Sequence, residues 1–370
     1  HTTDGRRYLD LMAGIGVNNV GHAHPAVVAA IQQQAARYLH AMVYGEYLLE
    51  PQIRLAARLA TLLPPSLSVV YFTNSGAEAN EGALKLAKKV TGRRRLVAFD
   101  GSYHGDTHGA LSVTGRAVYR QPFEPLLPDV TFLPWNDTTA LARIDDSVAA
   151  VIAEPIQGEG GVRVPDDDFL PALRRRCDET GALLILDEVQ TGFGRTGRLF
   201  AFEHWGVVPD ILVMAKALGG GMPLGAFAAS PERMAHLRRD PPLSHVTTFG
   251  GHPVCCAAGL AALEVLLAND LPARAATLGE ELRAALGEIG RRHGGVRDVR
   301  GRGLLIGLEF TDAALTERFV RAALARGAVV GWTLHSATVV RLAPPLTIAA
   351  EELGAALAIL DAALAAAHAG

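Results

Sequence analysis

Short, unbroken apolar runs alternate with stretches of helical spacing along most of the chain. Runs at 68–73, 95–99, 130–134, 148–153, 182–187, 211–214 and 224–229 read as strands buried on both faces. Between them, 51–63, 76–90, 138–144, 168–180 and 253–268 repeat apolar residues every three or four positions and read as helices. Buried strands separated by helices predict an α/β chain with a mostly parallel sheet, here of seven strands, covered on both sides. Beyond 268 the texture changes. A long helical pattern over 271–293 leads into an extended run, 296–310, interrupted by Gly301, Gly303 and Gly307. A helix over 312–326, strands near 328–331 and 338–342, and a tail helix with Leu353, Leu357, Leu360 and Leu364 on one face complete a smaller α+β unit. The expected organisation is a large domain over 41–268, a small C-terminal domain over 269–370, and a segment 1–40 packing near the small domain, with 1–24 extended.

The 370 residues suit about two domains. Net charge is 35 − 38 = −3, so no basic excess points to nucleic acid or an anionic membrane. Cys177, Cys255 and Cys256 cannot build a disulfide framework or a four-cysteine zinc site, which suits a reducing, cytoplasmic setting. The strand runs near 148–153 and 182–186 are far shorter than a membrane span of roughly 20 residues, and Asp361 interrupts the Ala-rich tail. The chain opens at His1 without an initiator Met, so a preceding segment is expected.

Candidate chemistry narrows the picture. Asp187 and Glu188 end an apolar strand as a Walker-B segment would, but no G-x-x-x-x-G-K-[ST] loop accompanies them. Gly192, Gly194 and Gly197 match G-x-G-x-x-G, yet four residues separate the strand from the first glycine and no βαβ unit follows. His104, Asp106 and His108 lack a second ligand cluster that would make a metal site. Ligands in open α/β sheets sit at the carboxyl ends of strands. Alternation there puts Asp187 and Val189 on one face and Glu188 on the other, so Asp187 can meet a cationic ring nitrogen while Val189 packs against the ring. Lys216 follows another apolar strand and precedes three glycines, an unusual place for a lysine without a chemical use. Ser75 caps helix 76–90, and the free N–H groups of Gly76 and Ala77 can hold a phosphate there. A phosphate, a cationic planar ring and a lysine together describe pyridoxal 5′-phosphate.

Ordered motifs then carry a resemblance across essentially the whole chain. They are Tyr8–Val17, Asn74–Glu81, Ser102–Gly105, Glu154–Gly161, Leu186–Gly197, Pro209–Lys216, Thr247–Pro253 and Val340–Leu346. The chain resembles the class III aminotransferases of the ornithine, acetylornithine, putrescine and 4-aminobutyrate type, which have the type I fold of PLP-dependent transferases. The resemblance implies a Schiff-base role for Lys216, a pyridinium partner in Asp187, and ring contacts from Val189, Tyr103 and His104. It implies a contact of Gln190 with the ring hydroxyl, and a phosphate cup of Ser75, Gly76, Ala77 and the Thr248 of a second copy in a homodimer. Arg341 resembles the arginine that binds the α-carboxylate of glutamate or 2-oxoglutarate, Glu159 the acid that neutralises it, and Val17 a substrate contact.

The implied activity is ping-pong transfer from a terminal amine, such as a diamine or an ω-amino acid, to 2-oxoglutarate or pyruvate. The alternatives are acetylornithine or ornithine transamination proper, or an aminomutase or decarboxylase on the same scaffold. Two positions depart from the family's pattern: His252 stands where Asn is usual, and Asp106 where acetylornithine-type members carry Arg. An Asp cannot bind a substrate carboxylate and would repel one. If its side chain faces the pocket, it favours a donor without a carboxylate at that point.

Overall fold

The computed structural model describes residues 1–43, 45 and 47–369. Seven strands form the main sheet: β2 (Val69–Thr73), β3 (Arg95–Phe99), β4 (Val130–Leu133), β5 (Val148–Ala153), β6 (Leu183–Asp187), β7 (Ile211–Met214) and β8 (Gly225–Ala229). A two-residue β1 (Leu9–Asp10) precedes them. The order across the sheet is β2-β8-β7-β6-β5-β3-β4, and only β8 runs against its neighbours. The strand runs and the mostly parallel pairing follow the sequence expectation. The strands are Val-, Ile-, Leu- and Ala-rich because both faces are covered; β5 through β8 are buried at every residue. Helix Gly76–Thr91 lies on one face. Its Gly82 sits so close to the Phe227 ring of β8 that a Cβ there would overlap it.

The second sheet has four strands in the order β12-β13-β10-β9. Here β9 is Val296–Arg302, β10 Leu305–Phe310, β12 Gly331–Thr333 and β13 Ser336–Leu342. The extended run over 296–310 is thus a hairpin, with Gly303 at its turn in the left-handed region (φ 54°). The strand expected at 328–331 is divided. Ala328–Val329, β11, pairs parallel with β1, and Gly331 onward pairs with β13. Helices Leu271–His293, Ala313–Ala325 and Ala350–Ala369 pack beside this sheet. The last is long and apolar enough to cross a membrane by length and composition. Its Leu353, Leu360 and Leu364 are buried, and its Asp361 takes Arg292 at 2.8 Å and His293 at 2.7 Å from the neighbouring helix.

Three local expectations are corrected. Residues 138–144 make only a 3-10 turn, Thr139–Arg143, because Asp137 Oδ1 accepts the amides of Thr139 and Ala140 and starts a tight turn. The opening segment is not extended throughout: Asp10 Oδ1 accepts the amides of Met12 and Ala13, and residues 13–16 then coil with positive φ. Helix Pro25–Arg37 follows, started by Pro25 and by His24, whose side chain accepts the Ala26 amide; the sequence reading did not separate it from the opening.

The opening segment is riveted between the two sheets. Asn19 donates to the Phe193 carbonyl, accepts from Arg195 and receives the Leu346 amide on its own carbonyl. Arg195, fully buried, also donates to the Leu304 and Pro344 carbonyls. Burial pushes its guanidinium down to about 9. The glycine-rich stretch Gly192–Gly197 therefore packs on Pro272, Ala276 and Gly303 as a joint between the sheets. Only a short 3-10 turn, Ala201–His204, follows it, and no α-helix starts there to open a dinucleotide site.

Candidate active site

The carboxyl ends of β2, β5, β6 and β7 lie along one edge of the main sheet, and the segments leaving them wall a cavity of about 650 Å³. Asn74, Glu154, Asp187 and Lys216 each come within two residues of such a strand end. Asp187 is 4% exposed, so its carboxylate must be hydrogen-bonded where it stands. Its Oδ2 accepts from Asn80 Nδ2 and His104 Nδ1, both at 2.8 Å, and its Oδ1 accepts the Val189 amide at 3.0 Å. A carboxylate only accepts, so His104 carries its proton on Nδ1; its buried Nε2 has no partner. Val189 shares the cavity wall with Asp187, as strand alternation requires. Glu188 turns away and accepts the Ala201 and Phe202 amides and the Thr191 hydroxyl; burial pushes it up to about 7.

Helix Gly76–Thr91 starts at the same edge. Ser75 caps it by accepting the Glu78 amide at 3.1 Å. The amides of Gly76 and Ala77 have no acceptor among the described residues and stand at the positive end of the helix. Both positions need small residues. A Cβ on Gly76 would lie 2.8 Å from Val189 Cγ2, and one on Gly105, at φ 119°, would lie 2.6 Å from the Ala77 Cβ.

Lys216 occupies the left-handed region (φ 48°) directly after β7. That is a strained place for a side-chain-bearing residue, and such strain gathers at functional sites. No hydrogen bond or ion pair engages its amine among the described residues, and it is the only lysine in the wall. Burial, and then the Arg341 charge, push the amine below its ordinary value. Arg341 of β13 comes from the second sheet. It is 3% exposed, forms an ion pair with Glu159 through Nη1, and donates to Gln190 Oε1 at 3.2 Å. Glu159 Oε2 accepts the Leu334 amide at 2.8 Å. Burial works to raise the Glu159 carboxyl; the guanidinium overcomes it and holds the carboxyl below its ordinary value. Glu159, Gln190 and Val17 line the cavity, with Arg341 immediately behind them.

Tyr103 and His104 also line it. The Tyr103 hydroxyl donates to Asp106 Oδ2 at 2.8 Å, so Asp106 faces the cavity. Thr248 is exposed and lies outside the wall of its own chain. His252 stacks on His40 at 5.7 Å, away from the cavity. Sequence reasoning assigned nothing to Asn80 or Glu154. Glu154 accepts the Tyr103 and Gly158 amides, both at 2.9 Å. Burial pushes its carboxyl up to about 7, against the opposing pull of His104. The signal in the sequence was an acid directly after an all-apolar strand, the pattern that singled out Asp187.

The wall meets three demands of pyridoxal phosphate: unpaired amides at a helix start, a fixed carboxylate, and a free amine. The family model for class-III aminotransferases matches residues 1–364. The acetylornithine aminotransferase of Methanopyrus kandleri is 47% identical over 362 residues, covering 98% of this chain and 90% of that protein. The putrescine aminotransferase of Pectobacterium atrosepticum is 45% identical, covering 95% and 77%. The ornithine aminotransferase of Toxoplasma gondii, solved with PLP at partial occupancy in its active site, superposes with a TM-score of 0.92 at 34% identity, covering 99% of this chain and 88% of that one.

A pH test follows from Glu154. Its ordinary value is 4.5 and its folded value about 7, so between these the folded chain holds a proton that the unfolded chain has lost. This contribution to stability is full below about 4.5 and disappears as pH rises through about 7. Glu154→Gln removes it. Denaturant unfolding of the variant should lose less stability than the parent between those pH values, by on the order of 1–3 kcal/mol. Parallel curves for the two proteins would mean that Glu154 is ionised in the fold.

Proposed function

The chain belongs to the class-III aminotransferase family, whose cofactor is pyridoxal 5′-phosphate, and from that premise we propose that it transfers the amino group of a terminal amine, a diamine or ω-amino acid, to 2-oxoglutarate or pyruvate. The observation that carries this reading is the buried Glu159–Arg341 pair. A guanidinium fork binds an oxoacid carboxylate through parallel hydrogen bonds. A terminal-amine donor brings no carboxylate to that point, and a desolvated, unpaired Arg341 would be costly. Glu159 pairs with it during the donor half and swings aside for the acceptor.

The remaining roles follow from the wall. The amides of Gly76 and Ala77, with Ser75, hold the cofactor's phosphate. Asp187, kept in place by Asn80 and His104, would keep the ring nitrogen protonated, and Val189, Tyr103 and Gln190 of the same wall would contact the ring. When bound, the cofactor supplies an electron-withdrawing ring that accepts the electron pair of the bond broken at the donor's amine-bearing carbon. Lys216 holds the cofactor and takes the proton from that carbon, a task helped by its lowered amine. His104, itself in the cavity wall, donates to the Asp187 carboxylate. Thr248, exposed beside the exposed Val246 and Phe249, completes the phosphate cup of a second copy, so the active form is a homodimer. The three buried, free cysteines fit a reducing cytoplasm. The acetylornithine aminotransferase among the relatives names another donor class, and Asp106 argues against it.

Three outcomes check this reading. Borohydride reduction and peptide mapping should put the phosphopyridoxyl label on Lys216; a label on Lys85, Lys88 or Lys89 excludes the assignment. The specific activity should fall on dilution as dimers separate in sedimentation, and a fully active monomer removes Thr248 from the site. In single-turnover spectroscopy of each half-reaction, Arg341→Ala should slow the acceptor half by about a hundredfold while the donor half keeps most of its rate. Glu159→Ala should slow the terminal-amine half by about tenfold and let α-amino acids compete better. Equal losses in both halves for both variants would leave the pair as a structural part of the wall.

A further inference from the structure

Four carboxylates line the cavity: Asp106, Glu154, Glu159 and Asp187. Three are occupied by the protein itself. Asp187 accepts from Asn80, His104 and the Val189 amide. Glu159 pairs with Arg341 and takes the Leu334 amide. Glu154 takes two amides, and burial pushes its carboxyl up to about 7. Asp106 differs. Its one hydrogen bond is the Tyr103 hydroxyl on Oδ2, its Oδ1 accepts nothing, and no Lys, Arg or His is within ion-pair distance among the described residues. It is solvent-exposed, so its charge needs no partner for the fold to stand.

Resting on the terminal-amine reading above, we propose that Asp106 is the anchor for the second, non-reacting cation of the donor, and that this enzyme selects diamines over monoamines and over ω-amino acids. The Tyr103 hydroxyl fixes the carboxylate in the wall and leaves Oδ1 for an ammonium. Burial, and then the bond to Asp106, raise the Tyr103 phenol, so it remains a proton donor throughout the working range and adds no charge of its own. Near Asp106 the histidine at 335 is lowered, first by burial, so it stays neutral and does not compete with the ligand. The same geometry works against an ω-amino acid. Its carboxylate would face Asp106, a repulsion that no Lys, Arg or His within ion-pair distance of Asp106 among the described residues relieves, and specificity is the difference between the two encounters. Lys216 and Asp106 stand in the same wall. A flexible α,ω-diamine can present one amine to the cofactor held by Lys216 and the other to Asp106.

The test compares butane-1,4-diamine, butylamine and 4-aminobutanoate as donors to 2-oxoglutarate, with the holoenzyme and with Asp106→Asn. The Asn keeps an oxygen for the Tyr103 hydroxyl and removes the charge. The parent should favour the diamine over butylamine by about tenfold in kcat/KM, the scale of one charge-assisted hydrogen bond to a solvent-exposed carboxylate. In Asp106→Asn this ratio should collapse about tenfold, through KM and with kcat nearly kept, and the relative rate with 4-aminobutanoate should rise. A diamine-to-butylamine ratio near one in the parent, or one that Asp106→Asn does not change, overturns the inference while the terminal-amine reading stands. A parent that transaminates none of the three donors but does use α-amino acids overturns that reading and this one with it. If the drop appears in kcat for all donors alike, Asp106 acts by positioning Tyr103, and the anchor is refuted.

Discussion

A carboxylate buried at the end of a strand has to be supplied with donors, and the position of Asp187 depends on that requirement. At 4% exposure it cannot rely on water. The donors come from three separate pieces of chain: Asn80 in the helix after β2, His104 in the segment after β3, and the amide of Val189 beside it. Satisfying one charge therefore fixes the helix that offers its first amides, the loop that carries Tyr103, and the position of Val189 in the cavity wall. Asn80 donates twice, since its Nδ2 also reaches the His104 carbonyl at 2.8 Å. The cavity is the space these constraints leave.

The second sheet contributes through a different balance. Arg341 is nearly as buried as Asp187 and carries the opposite charge. Its partner Glu159 belongs to the loop after β5 on the main sheet, so the ion pair joins the two sheets at the cavity. Arg195 makes the neighbouring joint with carbonyls and Asn19 rather than a carboxylate. The contrast is useful. A guanidinium satisfied by fixed backbone carbonyls has nothing to exchange, whereas one satisfied by a side-chain carboxylate can trade that partner for a substrate.

The charges around the site differ in what neutralises them, and that difference sorts their uses. Glu154 and Glu188 are raised by burial and held by backbone amides, which makes them supports for Tyr103 and for the loop after β6. Lys216 is lowered, lacks a partner and sits in a strained conformation, which leaves it available for covalent work. Asp106 is exposed in the cavity wall with a single hydrogen bond, open to a cation from solvent.

Much of this was legible in the residues. The buried strands announced themselves as unbroken apolar runs, because both faces of a parallel sheet are covered and no polar alternation survives. The alternation of side chains along a strand separated Asp187 and Val189 from Glu188, and a serine before a glycine marked the start of the helix whose first amides face the cavity. These are properties of chain segments a few residues long. Other features were invisible for the opposite reason. Nothing local distinguishes Asn80 from any polar residue in a helix, since its partner is 107 positions away. The 3-10 turn at 139–143 was settled by the side chain of Asp137, and the left-handed backbone of Lys216 has no signature in the residues beside it. The direction of Asp106 could not be read from its neighbours either; it is set by the Tyr103 hydroxyl, placed by a loop whose amide is held by Glu154 from another strand. Sequence determined the elements and the kinds of charge at their ends, because local spacing dictates both. Which charge meets which partner was decided only by the tertiary structure, because burial makes every unpaired group costly and the pairing that removes the cost joins segments far apart in the chain.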